Sequence, residues 1–174
     1  MTQEIRDWLK HNPAVHALMD GENRLGNLFP MEEALVLASA FSADRKTRII
    51  IKKDRYAAQQ LYARLNPLVE DVLLFTSDES LRVQEIASSP EEKEEQLDVL
   101  QQLATDEKPR LIITNTAGFL RFLPDKDLFA SLIFDLKPGM ELDMASLKKA
   151  LNRAGYSKVN YVDRPLTYAS RGGI

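Results

Sequence analysis

Three short apolar runs constrain the fold of this chain more than any other feature. Arg48-Ile49-Ile50-Ile51, Val72-Leu73-Leu74-Phe75 and Leu111-Ile112-Ile113-Thr114 are continuous, aliphatic and bounded by polar residues. An alternating strand has one wet face, whereas a continuous run predicts a strand buried on both faces, as in parallel sheets. Helical patterns lie between the runs. Over Asp54–Asn66, Ala57, Leu61 and Leu65 sit beside Tyr56, Gln60 and Ala63 at a spacing that predicts one helix face. Ser89-Pro90-Glu91-Glu92 reads as a helix start, and Leu97, Leu100 and Leu103 continue it at helical spacing. Strand, helix, strand, helix, strand predicts right-handed crossovers and an α/β layer fold. Thr76–Ser88 reads as a loop with a short helix.

The rhythm changes near Leu123-Pro124-Asp125. Ser131–Leu136 is a strand candidate that ends at the turn signal Lys137-Pro138-Gly139. Asp143 is placed to cap a helix through Leu147, Ala150 and Leu151, with Gly155 at its C-terminal end. Lys158–Val162 and Thr167–Ser170 then predict an antiparallel pair around Asp163-Arg164-Pro165. The expected organisation is an N-terminal helical segment over 1–20, an α/β domain over 21–123 and a small α+β domain over 124–174.

Composition excludes several chemistries. With 174 residues, 44% of them hydrophobic, the chain can bury a substantial core. It has no cysteine, hence no disulfide, no thiolate zinc site and no cysteine nucleophile. No apolar run approaches the length of a membrane span, and the polar opening Met1–Lys10 gives no expectation of a signal peptide. A cytoplasmic location is therefore expected. The net charge of −3 argues against a protein that coats nucleic acid. Yet Lys137–Ile174 holds seven basic and three acidic residues, so that end is basic and the remainder acidic.

Four patterns bear on chemistry. Gly26-Asn27-Leu28-Phe29-Pro30-Met31-Glu32-Glu33 has the eight-residue frame of a phosphate loop ahead of the apolar helix Ala34–Phe41. Such a loop needs a second Gly, a Lys and a hydroxyl at its end. Met31, Glu32 and Glu33 stand there instead, and two carboxylates repel triphosphate while suiting a helix N-terminus. Leu132-Ile133-Phe134-Asp135 has the shape of a strand ending in a magnesium-binding carboxylate, although without a phosphate loop an ordinary strand-edge Asp is the better reading. His11 and His16 flank Pro13 and share no clean helix face, and Trp8 with Ile5 and Leu9 reads as a helix anchor. No metal site, catalytic residue or cofactor is expected, and no pattern requires an enzyme.

The fourth pattern is the C-terminal stretch. Lys158, Arg164 and Arg171 are interleaved with Tyr156, Tyr161 and Tyr168. Arg and Tyr are enriched at interface hot spots because they bury area and offer directed hydrogen bonds. A polar sheet face over packed Tyr fits the composition equally well.

At these residues a resemblance becomes visible. Gly155-Tyr156, then Val162, then Tyr168-Ala169-Ser170-Arg171-Gly172-Gly173-Ile174 resembles the bacterial transcription-repair coupling factor family, Mfd. Ala87-Ser88-Ser89-Pro90-Glu91, Gln96-Leu97-Asp98-Val99-Leu100 and Phe119-Leu120-Arg121-Phe122-Leu123-Pro124 resemble the same family, in its order and spacing, over roughly residues 20 to 174. The resemblance implies a region like the excision-repair protein UvrB without its ATPase. Its first domain would be a degenerate RecA/P-loop-like parallel sheet, with Gly26, Met31, Glu32 and Glu33 as the vestigial phosphate loop. Its second would be a partial module that docks on UvrA, with Arg171, Gly172, Tyr168 and Lys158 at the contact. Lys158 stands where the resemblance expects Arg, which keeps the charge but loses the bidentate fork. RNA polymerase and DNA would be reached only through downstream domains outside this chain. A strand expected to continue past Ile174 would leave an edge able to pair with another copy.

Three functional readings follow. The leading one is a non-catalytic recruitment module that binds UvrA and links stalled RNA polymerase to nucleotide excision repair. A nucleotide-binding or hydrolysing P-loop-type domain is the alternative, resting on the α/β pattern and the frame at Gly26. Direct DNA binding by the basic C-terminal segment is the third, and it ranks last because no stacking platform accompanies the charge.

Overall fold

The three apolar runs become the strands of one parallel sheet. In the computed structural model, which describes residues 9–21, 26–77, 90–134 and 136–171, β1 spans Arg48–Lys52, β2 Val72–Phe75 and β3 Leu111–Asn115. The order is β1-β3-β2, so the last strand in sequence is central. Arg48 and Val72 both stand opposite Leu111, and the register continues from there.

Helices α1 (Pro13–Met19), α2 (Pro30–Asp44) and α3 (Arg55–Leu65) belong with this sheet. One sheet face, with Ile50, Val72, Leu74, Leu111 and Ile113, packs on Ala34, Leu37, Ala38 and Phe41 of α2 and Ala58, Leu61 and Leu65 of α3. Val15 of α1 joins Val36 and Ala40 on another side of α2. Burial of these side chains is the main stabilising term. The α3 face that does the packing is not the expected one throughout, since Tyr56 is exposed and Ala58 is fully buried. Double-sided burial also fails for β1, where Ile49 and Ile51 are exposed. The helices pack against the opposite face, and β1 is an edge.

Charged side chains pin the strand ends. The Arg48 guanidinium grips Asp44 at the end of α2 through two bonds of 2.9 and 2.6 Å. Lys52 Nζ lies 2.8 Å from Glu33 at the start of α2. Asp71, just before β2, receives Arg45 at 3.0 Å and Lys108 at 3.3 Å.

Contacts divide the chain into two units, Met1–Arg82 with Lys108–Arg121, and Val83–Glu107 with Phe122–Ile174. Helix α4 (Pro90–Thr105) therefore falls in the second unit, whereas the sequence reading placed it in the first domain. There α4 packs against α6 (Lys126–Ser131); the short α5 (Thr116–Phe119) stays with the sheet. The expected start at Pro90 is observed, but its capping Ser89 and the loop over 78–88 lie outside the described residues.

Helix α6 replaces part of the strand expected over Ser131–Leu136. The Asp125 carboxylate accepts from the Asp127 and Leu128 amides at 3.0 and 3.2 Å, and the chain is still turning where Ile133 donates to the Ala130 carbonyl. The helix takes only Ser131 of that span, and the described residues that follow it, exposed apart from the half-buried Ile133, pair with no strand. Asp135 lies outside the described residues.

Helix α7 (Met144–Arg153) matches expectation. Asp143 accepts from the Ala145 and Ser146 amides at 3.2 and 3.1 Å. At the other end Tyr156 donates to the Leu151 carbonyl and Gly155 to that of Asn152, which is a Schellman motif. Gly155 takes φ +87°, a conformation in which a side chain is strained.

Candidate docking surface on the C-terminal strands

After the Gly155 turn the chain forms β4 (Ser157–Lys158) and later β5 (Thr167–Tyr168). The two pair in parallel, not antiparallel as expected. Ser157 donates to the Leu166 carbonyl and Val159 to that of Tyr168, both at 2.9 Å. A hairpin would reverse the chain within a few residues. Here residues 159–166 instead bring it round to enter again in the same direction. Leu166 takes φ 57°, and the Thr167 hydroxyl donates to the Arg164 carbonyl at 2.6 Å. Asp163-Arg164-Pro165 thus belongs to a return loop.

That topology decides which expected residues meet. Lys158 and Tyr168 are register partners, one on each strand. Arg171 is exposed and donates from Nη2 to the Asn160 carbonyl at 3.4 Å, so it leans on the return loop. Gly172 lies outside the described residues. Tyr161 is exposed on the return loop, while Tyr156 is half-buried behind the Schellman turn. Among the described residues, Lys158, Arg164, Lys149 and Arg153 are in no ion pair, so their charge faces solvent. The sequence reading missed Asn152. Its Oδ1 accepts from the Tyr168 hydroxyl at 3.1 Å and ties β5 to α7. An exposed Asn near a helix end carries no sequence signal for a partner sixteen residues away.

Elsewhere the same unit has an apolar groove of about 350 Å³, lined by Leu97, Phe129, Phe134, Leu147, Leu151 and Tyr156 among others.

The Gly26–Glu33 frame is far less suggestive of ligand chemistry. A phosphate loop joins a strand to a helix, but the described element before this frame is α1. Asn27, not Gly26, takes the left-handed conformation, at φ 59°. Glu32 Oε2 accepts from the Phe29 amide at 2.9 Å, closing the first turn of α2. Glu33 is committed to Lys52, and Met31 is exposed. Both carboxylates therefore have structural work at the helix start. His11 and His16 are exposed, and among the described residues no three His, Cys, Asp or Glu side chains gather as metal ligands would. Trp8 lies outside the described residues. No described helix is long and apolar enough to cross a membrane.

The polar centre of the first unit is Asn115, fully buried at the end of β3. Its Oδ1 accepts from the Ser77 and Gly118 amides, both at 3.1 Å, and its Nδ2 donates to the Ser77 carbonyl at 2.8 Å. This network joins the ends of two strands to α5, and all the hydrogen-bonding groups it uses are satisfied from within the chain.

The geometry defines a small α/β protein carrying a basic, tyrosine-bearing strand pair on its second unit. No protein-family model matches the chain. It is similar to the transcription-repair-coupling factor of Bacillus subtilis (strain 168), 25% identical over 178 residues, which is 98% of this chain and 15% of that protein. The chain thus spans about one seventh of its relative, and the likeness is to a region of a coupling factor.

Proposed function

We propose that this chain is a recruitment module of the coupling-factor type, acting by binding alone, with UvrA as its partner. The observation that carries the reading is the similarity to a transcription-repair-coupling factor along nearly the whole chain. The docking face is the β4–β5 pair with Lys158, Tyr168 and Arg171. Two features support it: the parallel register sets Lys158 beside Tyr168, and among the described residues the basic groups there have no internal counter-ion. Lys158 and Arg171 would meet acidic groups of the partner, while Tyr168 supplies contact area at low entropic cost.

Immobilised UvrA tests this directly. The wild-type chain is expected to be retained, and a Lys158→Glu, Arg171→Glu double variant to bind at least about tenfold more weakly. Equal binding by the two proteins would place the contact elsewhere.

A further inference from the structure

Tyrosine has one hydroxyl proton to give. In this chain Tyr168 gives it to Asn152 Oδ1, 3.1 Å away on the last turn of α7. The ring is only half-buried, so packing alone leaves it room to swing. Asn152 itself is held. Its carbonyl accepts from Gly155 in the Schellman turn, which fixes the helix end relative to the start of β4. Helix end, β4 and β5 are thereby closed into one frame, and the Tyr168 hydroxyl forms its side-chain link.

From this geometry we infer that Asn152 is a positioning residue for the docking face, holding the Tyr168 ring in the orientation a partner meets. The inference rests on the docking reading above. Asn152 needs no contact with the partner to act. It removes rotamer freedom from Tyr168 before binding, and ordering a side chain in advance lowers the cost of association. Lys158, across the register from Tyr168, then meets the partner at a fixed offset from the ring.

A double-mutant cycle with purified UvrA tests the assignment. Asn152→Ala is expected to weaken binding about fivefold in the wild-type background, the worth of one ordinary hydrogen bond. In the Tyr168→Phe background the same change should have no effect, because the link it breaks is already gone. Asn152→Gln keeps a neutral acceptor oxygen within reach and should recover part of the affinity lost in Asn152→Ala. Equal losses in both backgrounds, or no loss in either, would overturn the role of Asn152 while leaving the docking reading intact. Absence of binding by the wild-type chain would overturn both. Unfolding midpoints measured on every variant separate loss of fold from loss of the link.

Discussion

Among the single residues, Asp44 has the clearest solution signature. The Arg48 fork holds its carboxyl below the usual carboxylate range, helped by the Lys46 amide. The side chains of Asp44 and Arg48 are only 11% and 15% exposed, so solvent screens this pair less than the others at the surface. A lowered native pKa means that the folded state releases the proton more readily than the unfolded one. The stabilisation is therefore present above the unfolded value near 3.8 and disappears as pH falls through the lowered native value. Asp44→Asn removes that dependence. Urea unfolding at a series of pH values should show wild type ahead of the variant at neutral pH, with the gap closing below about pH 4. A gap that stays constant into acid would mean that the ion pair contributes nothing. The Asp143 carboxyl is also held low, first by the Ser146 hydroxyl and then by the Ala145 and Ser146 amides. The start of α7 loses its cap in the same direction of pH.

At the level of elements, the β3–α5 junction is the most constrained. A Cβ on Gly118 would lie 2.7 Å from Thr114 Oγ1 and 2.9 Å from the Phe75 carbonyl oxygen. Backbone cannot yield as a flexible side chain does. Gly118→Ala should cost about 1–3 kcal/mol, and Asn115→Ala about 2 kcal/mol or more because it orphans buried amides. Chemical denaturation measures both, and a Gly118→Ala protein as stable as wild type would show that the junction relaxes freely.

The same elements show what a sequence can disclose. The sheet strands were readable because continuous aliphatic runs have few other fates, and α7 because Asp143 and Gly155 act on their own immediate backbone. The strand expected at Ser131–Leu136 has only exposed or half-buried described residues, and an apolar run does not by itself supply the neighbouring strand it would need to pair with. The direction of β5 could not be read, since Leu166 at φ 57° sends the chain round and nothing local demands it. The Asn152–Tyr168 link was invisible for a different reason, being a contact that exists only once α7 and β5 are in place. Within the candidate surface, residue types were legible and their geometry was not.

For the whole molecule, burial is unequal. Phe41, Leu65, Leu111 and Ile113 of the first unit are fully buried, whereas among the described residues of the second unit Val99 alone is buried, and it keeps 7% of its surface exposed. Stability that rests on buried apolar area must then differ between the units. Native-state hydrogen exchange should find the amides of β3 opening only with global unfolding. Those in the middle of α7 should exchange at least about tenfold faster than the β3 amides, through smaller openings. Matching free energies for the two would mean one cooperative structure.

The exposed isoleucines of β1 have a consequence for how the protein behaves in a tube. Among the described residues β1 borders the sheet, and it presents Ile49 and Ile51 at 55% and 46% exposure. A bare aliphatic border invites edge-to-edge association, which natural proteins deter with flanking charges. Arg48 and Lys52 bracket the run as such gatekeepers, yet each is already neutralised by Asp44 or Glu33. The remaining deterrent is long-range repulsion between chains of modest net charge, and salt shortens its reach. Raising the ionic strength is therefore expected to promote association, which light scattering over a salt series would read as growth in apparent mass.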